Sequence, residues 1–301
     1  MGFDVITFGS AVVDVFVDTD VSEKKNFISY PVGSKILIKD LKVDVGGGGT
    51  NSGVAFSRLG LKTGYIGKLG DDENGRRVLS LLKKEKIKFL GKLSKDAMTG
   101  QSIILDSKEK SRTILTYKGI NDTIGLEDIQ LGKVKTRWIY LTSLLGKSFE
   151  TQKKVVSKLS HKGVKIAFNP SEYLIKRKNL SSILKVCDVL ILNKEEGELL
   201  VGKKQKDLLE SLHDLGPKIV VVTDKNKLIS CYNGIKKYYL KPNKVKVVER
   251  TGAGDAFASG FVAGLIANKS IEESLKLGLK ESESVIRYFG AKNKLLRMNI
   301  K

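Results

Sequence analysis

Three short stretches carry the residue types and spacings that could do chemistry. In the first, Val247-Val248-Glu249-Arg250-Thr251 leads into Gly252-Ala253-Gly254-Asp255 and then into the small-residue run Ala256-Phe257-Ala258-Ser259-Gly260. This reads as a strand, a tight turn and a helix start, where free N–H groups and the positive end of the helix dipole favour an anion such as phosphate. Asp255 then faces whatever fills that anion site, either as a general base or as a plain helix cap. In the second, Val45-Gly46-Gly47-Gly48-Gly49-Thr50-Asn51 opens directly into Ser52-Gly53-Val54-Ala55-Phe56. Four glycines strip the loop of side chains, so a ligand can approach its backbone; a plain turn is the alternative. In the third, the apolar run ending at Leu192 is followed by Asn193-Lys194-Glu195-Glu196. An amide and a carboxylate three residues apart at a helix start share a face and can orient water around a magnesium ion, or can simply begin a helix with acids at its positive end.

Other chemistries are excluded by what is missing. Two cysteines leave no disulfide framework and no Cys-Cys-His metal spacing, and the two histidines lie in no motif, which argues against a zinc site or a Ser-His nucleophile. Gly146-Lys147-Ser148 ends like a phosphate loop, but Leu141 stands where its leading glycine belongs. The glycine quartet meets Asn51 where a dinucleotide fingerprint needs its last glycine. The formal net charge of +21 raises a nucleic-acid partner, yet the lysines are scattered and no aromatic residues interleave their densest runs, as in Lys83-Lys84-Glu85-Lys86. A lysine-biased surface is therefore expected, with no specific nucleic acid and no membrane as partner. The apolar N-terminal stretch carries Asp4 and Asp14 and has no basic leader, so a cytoplasmic protein is expected.

These residues need a scaffold, and the chain spells one out. Apolar runs of strand length at 5–8, 63–66, 138–141, 164–168, 189–192 and 219–223 alternate with amphipathic stretches at 51–59, 74–86, 150–159 and 199–212. Short, continuously apolar strands divided by helices predict a parallel sheet covered on both faces, an α/β fold. Residues 35–44 alternate polar and apolar, and 101–105 with 111–117 read as a hairpin turning at 107–110. These are expected to form antiparallel strands with one wet face, a lid or a dimer surface.

The order Asp14, the glycine loop with Asn51, Asn193-x-x-Glu196 and Gly252-Ala253-Gly254-Asp255 resembles the ribokinase-like (PfkB) carbohydrate kinase family across nearly the whole chain. The resemblance implies a single domain over 1–301: a Rossmann-like three-layer sandwich with a mostly parallel central sheet and a small antiparallel β lid, inserted from about 12–45 and 99–118. By position it implies that Asp255 is the catalytic base, that Gly252, Ala253 and Gly254 form the anion hole, and that Asp14, Gly47, Gly48 and Asn51 hold sugar hydroxyls. It further implies that Asn193 and Glu196 belong with magnesium and phosphate, and that Asn193, Thr223 and Gly254 meet the nucleotide. Two departures stand out. Glu249-Arg250-Thr251 replaces the usual Asp-Thr-Thr, which leaves the monovalent cation open, and Thr223-Asp224-Lys225-Asn226-Lys227 lacks both glycines of the usual nucleotide loop.

The expected activity is that of an ATP- and Mg2+-dependent kinase phosphorylating a primary hydroxyl of a sugar or sugar-like substrate, with a homodimer through the lid. A nucleoside kinase is the near alternative. A phosphosugar kinase is the next, since Arg112 or Lys118 on the lid can meet a substrate anion. A nucleic-acid-binding protein on an inactive kinase fold is the remote one.

Overall fold

Alternation along the strands builds the molecule in layers. The structure is a computed structural model describing residues 2–25, 27–109, 111–130, 132 and 134–301. Its strands are β1 (Phe3–Phe8), β2 (Val12–Thr19), β3 (Ile38–Gly46), β4 (Thr63–Ile66), β5 (Lys68–Gly70), β6 (Lys88–Phe89), β7 (Lys92–Ser94), β8 (Gly100–Asp106), β9 (Arg112–Tyr117), β10 (Thr136–Thr142), β11 (Lys165–Asn169), β12 (Val189–Asn193), β13 (Ile219–Asp224), β14 (Leu228–Tyr232) and β15 (Lys237–Leu240). Its helices are α1 (Gly48–Arg58), α2 (Glu73–Lys84), α3 (Gly146–Ser160), α4 (Glu172–Ile175), α5 (Ser181–Leu184), α6 (Lys194–Val201), α7 (Leu208–His213), α8 (Ala253–Ile266) and α9 (Ile271–Val285).

The main sheet runs in the order β15-β14-β13-β12-β11-β10-β1-β4-β6. It is parallel from β6 through β13, and β14 and β15 close one edge antiparallel. Because side chains point to opposite faces with period two, each apolar strand supplies two cores. Ile6, Phe8, Ile139, Leu141, Leu190 and Leu192 pack against Phe149 and Val156 of α3 on one face. Val5, Trp138, Tyr140, Val189 and Ile191 pack against Phe56 of α1 and Phe257 and Phe261 of α8 on the other. This agrees with the three-layer, mostly parallel expectation. The two antiparallel edge strands were not foreseen, and the stretch expected as one helix over 199–212 is two, since Gly202 takes φ 89 and ends α6.

A second sheet, β3-β2-β8-β9, projects from the first. The 101–105 and 111–117 hairpin forms as β8 and β9, with Lys110 of the expected turn outside the described residues. The β2–β3 and β8–β9 pairings are antiparallel, whereas β2 and β8 run parallel. Residues 35–37 precede the strand expected there. Ile38 to Val43 are exposed on both faces, because the end of the lid reaches beyond the body. Register fixes what faces inward. Asp44, Asp14, Ser102 and Thr116 form one cross-strand row; Lys42, Phe16, Ile104 and Ile114 the next; Asp40, Asp18, Asp106 and Arg112 the third. Phe16 packs edge-on against Phe289 of the body at 4.5 Å, so this is the face turned toward the main sheet.

Candidate functional site

The carboxyl ends of the parallel strands converge on one edge, where ligands bind in open α/β sheets. Thr142 ends β10 beside Asn169 of β11, and Asn193 of β12 pairs with Thr223 of β13. In these four strands polar residues replace the apolar run as the strand emerges.

Gly47 stands at φ 95, and a methyl there would lie 2.5 Å from the Ser10 carbonyl. Only glycine lets the loop press onto the turn after β1, where Gly49 N–H donates to that carbonyl at 3.0 Å. α1 therefore begins beneath the lid, and Asn51 is buried in its first turn. Asp14, on β2, touches the same loop: a methyl on Gly46 would meet its Oδ2 at 1.9 Å. Asp14, Gly47, Gly48 and Asn51 are brought together as the sequence suggested.

Gly252 takes φ 80 and starts α8, and a methyl on it would lie 2.7 Å from Ala291 Cα. The turn is not uniformly open. Ala253 N–H already donates to the Arg250 carbonyl at 3.2 Å. The N–H groups of Gly254 and Asp255, in the first helical turn, are those with no intrahelical partner and remain for an anion. Asp255 does not cap this helix. Its Oδ2 accepts from Asn51 Nδ2 at 2.8 Å, a contact between residues 204 positions apart. The plain-cap alternative for Asp255 fails on this geometry. Burial raises the Asp255 carboxyl above the usual carboxylate range, while the Asn51 hydrogen bond and the charge of Lys292 pull it down. Burial likewise raises Asp14, against a hydrogen bond from Ser102 and the charge of Lys292.

Asn193 and Glu196 meet in a different way. Asn193 Oδ1 accepts from Glu196 N at 2.8 Å, and Glu196 Oε2 accepts from Asn193 N at 2.9 Å, a complete capping box for α6. Burial pushes the Glu196 carboxyl up. Both still line a 270 Å³ cleft together with Asp255, Gly252, Gly254 and Thr223. One carboxylate and one amide beside the start of α8 fit magnesium, which keeps most of its waters and usually draws its remaining ligands from phosphate. Among the described residues no group of three or more His, Cys, Asp or Glu side chains gathers as a metal site.

Asn193, Thr223, Gly254 and Phe257 also line a larger cleft of 600 Å³ with Lys225, Asn226, Lys241, Asn243, Lys244 and Arg250. The 223–227 loop, which lacks the glycines expected there, still makes its turn, because Lys225 adopts the left-handed conformation at φ 50 and Lys227 N–H closes onto the Asp224 carbonyl at 2.8 Å.

The two lid cations considered for a substrate anion have neighbours within the protein. Arg112 Nη1 bonds Glu249 Oε1 and Thr251 Oγ1, both at 2.8 Å, and Glu249 Oε2 accepts from Gly290 N at 2.9 Å. Lys118 Nζ lies over the Tyr173 ring at 4.1 Å. Arg112 is thus already paired with a carboxylate, while Lys118 rests on a ring that leaves its ammonium donors available. Two residues went unread in the sequence. Asn121 clamps Ala11 through both its N–H and its carbonyl. Lys292, 4% exposed, reaches Asn51 Oδ1 at 3.1 Å. A lysine in Gly290-Ala291-Lys292-Asn293 carries no sequence signal, because its importance comes from segments far away along the chain.

The chain matches the family model described as pfkB family carbohydrate kinase over residues 4–297. It is 32% identical over 251 residues to an uncharacterized sugar kinase of Archaeoglobus fulgidus, covering 81% of this chain and 99% of that one. It is 30% identical over 305 residues to a 5-dehydro-2-deoxygluconokinase of Clostridium perfringens, covering 92% and 85%. Its fold is similar to that of an Arabidopsis thaliana ribokinase complexed with ribose and ATP, with a TM-score of 0.82, 20% identity and coverage of 100% and 97%. With the fold, the converging motifs and a family match over nearly its full length, the chain belongs to the pfkB family of carbohydrate kinases.

Proposed function

We propose that this kinase transfers the terminal phosphoryl group of ATP, with Mg2+, to a primary hydroxyl of a neutral sugar or sugar-like acceptor. The observation that carries the reading is the Asn51–Asp255 hydrogen bond, which joins the glycine loop to the anion turn in one site. Asp255 takes the acceptor proton. Asp14, Asn51 and the backbone of Gly47 and Gly48 hold the other hydroxyls. Gly254 and Asp255 N–H groups, with the Gly252 turn, receive the phosphoryl oxygens at the positive end of α8. Asn193 and Glu196 order the metal's waters, and Thr223 borders the donor. Little covalent chemistry is asked of the protein, since phosphoryl transfer depends on in-line positioning and charge neutralisation. Bound Mg2+ supplies part of that neutralisation.

Charge supports a neutral acceptor over a phosphosugar: Asp14, Asp44 and Asp255 surround Lys292, and Arg112 is paired with Glu249. One observation favours a nucleoside as the second reading. A 330 Å³ cleft beside the acceptor end is lined by Phe16 and Phe289, which offer aromatic surface to a base. The outer face of the lid carries exposed Val43, Ile103 and Leu115 in one cross-strand row, which supports a homodimer through the lid.

The test is ADP release from ATP over a panel of neutral sugars, nucleosides and sugar phosphates, read alongside light-scattering mass. Turnover with a neutral polyol supports the reading. Turnover restricted to phosphorylated acceptors, or none beyond the acceptor-free rate, would sink it.

A further inference from the structure

A lysine stands among the carboxylates of the acceptor end. The segment that carries it is fixed on two sides: Gly290 N–H donates to Glu249 Oε2 at 2.9 Å, and Arg58 Nη1 donates to the Lys292 carbonyl at 2.6 Å. From that anchor Lys292 Nζ donates to Asn51 Oδ1 at 3.1 Å and lies 3.9 Å from Asp44 Oδ2. Asn51 passes the contact on, its Nδ2 donating to Asp255 Oδ2 at 2.8 Å.

The direction of this relay is set by chemistry. An ammonium can only donate, and an amide has one accepting end and one donating end. With Oδ1 turned to Lys292, Nδ2 must face Asp255. The opposite rotamer would set an amide oxygen against a carboxylate and an NH2 group against an ammonium. A buried cation is costly unless it is paired. Here the charged groups around it are Asp14 from β2, Asp44 from β3, Asp255 from α8 and Arg58 from α1. Around Asp255 stand Asn51, Lys292 and the buried Tyr140 of β10.

We propose that Lys292 is a positioning residue for phosphoryl transfer: through Asn51 it holds one oxygen of Asp255 in place, and its ammonium, held among the carboxylates of Asp14, Asp44 and Asp255, is a positive charge at the acceptor end. This rests on Asp255 being the general base. As the acceptor oxygen bonds to phosphorus and the bond to the leaving ADP oxygen breaks, the hydroxyl proton passes to Asp255 Oδ1, the oxygen that Asn51 does not hold.

Carboxyl 13C NMR of the full-length chain labelled at aspartate, with the Asp255 resonance assigned by its loss in Asp255→Asn, reads the charge role without any acceptor. The Asp255 midpoint should rise by about one pH unit or more in both Lys292→Met and Lys292→Gln, since a nearby opposite charge accounts for roughly 1–3 units. Kinetics read the positioning role, with ATP and whichever of D-ribose, D-fructose and cytidine is turned over fastest. Lys292→Met should lower kcat by about 10- to 100-fold, part of the worth of a placed base, with KM for ATP within about twofold. Lys292→Gln, which can still donate, should recover part of that kcat at high pH while keeping the displaced acid limb. An Asp255 midpoint and acid limb unmoved in both variants would overturn the proposal. So would unfolding of both by circular dichroism, which would make the lysine purely structural. If Asp255→Asn keeps the parent kcat, the general-base reading falls instead, while the NMR midpoints still report on Lys292.

Discussion

Three of the helices that begin at the carboxyl edge of the sheet carry the candidate site residues, and they begin in two ways. α1 and α8 start on Gly47 and Gly252, and neither has a side-chain cap. α6 starts on Asn193 with a complete capping box to Glu196. A helix that satisfies its first N–H groups with its own side chains is stable alone and offers a ligand little. A helix without such a cap keeps some of its first N–H groups for backbone partners or an anion: in α1 Gly49 N–H goes to the Ser10 carbonyl, and in α8 Ala253 N–H goes to the Arg250 carbonyl. The two glycine-started helices are also the two joined by Asn51 and Asp255, and the cleft lined by Gly252, Gly254 and Asp255 of α8 is shared with Asn193 and Glu196 at the start of α6.

The contrast can be broken most sharply at Asp255. Asp255→Asn keeps the size and the contact to Asn51 but cannot take a proton, so turnover should fall by roughly 10² to 10⁴ with ATP affinity kept. Turnover within about threefold of the parent would return α8 to the status of a structural helix. Asp14→Ala, at the open end of α1, should lower kcat/KM for the best acceptor by about 10²-fold, through an unmatched polar group and a misplaced hydroxyl. Acceptor-free ATP hydrolysis should be unchanged; equal losses in both assays would mean that Asp14 only supports the lid.

A buried carboxylate outside the cleft sharpens the comparison. Glu281 of α9 lies beneath α8 and accepts from Leu296 N at 3.0 Å, and burial pushes it up to about 7 against the pull of Arg58. Its folded form holds the proton more tightly than the unfolded chain, so the protein should lose stability as pH rises from the ordinary glutamate range through about 7 and regain it on acidification. Glu281→Gln should flatten that slope, worth roughly 2 kcal/mol between about pH 5 and 8 in denaturant titrations. Parallel slopes in parent and variant would remove Glu281 from the account.

The smallest effect is expected at the closed helix end. Glu196→Gln preserves the capping box, because glutamine serves at that position as well as glutamate. Stability should stay within about 0.5 kcal/mol, and the Mg2+ concentration for half-maximal rate should rise a few-fold as the metal's waters lose a charged partner. An unchanged magnesium titration would leave Glu196 as a cap and nothing more.

The chain itself announced the parallel sheet, because Val5, Ile6, Phe8 and the runs at β10, β12 and β13 are apolar at every position, which only a strand buried on both faces requires. It announced both glycine turns too, since φ values of 95 and 80 with backbone 2.5–2.7 Å from a would-be methyl admit no other residue. Local chemistry cannot say which carboxylate is free. Asp255 and Glu196 each sit three residues after a helix start, yet one is turned to a partner 204 residues away and the other folds back on its own N-terminus. Nor could it free Arg112 for a substrate or find Lys292, because the pairing with Glu249 and the relay through Asn51 join segments 137 and 241 positions apart. Composition and spacing set periodicity, turns and the menu of reactive groups. Which of those groups meet, and with what charge beside them, was decided only when the lid, α1, α8 and the 290–292 segment closed on one another.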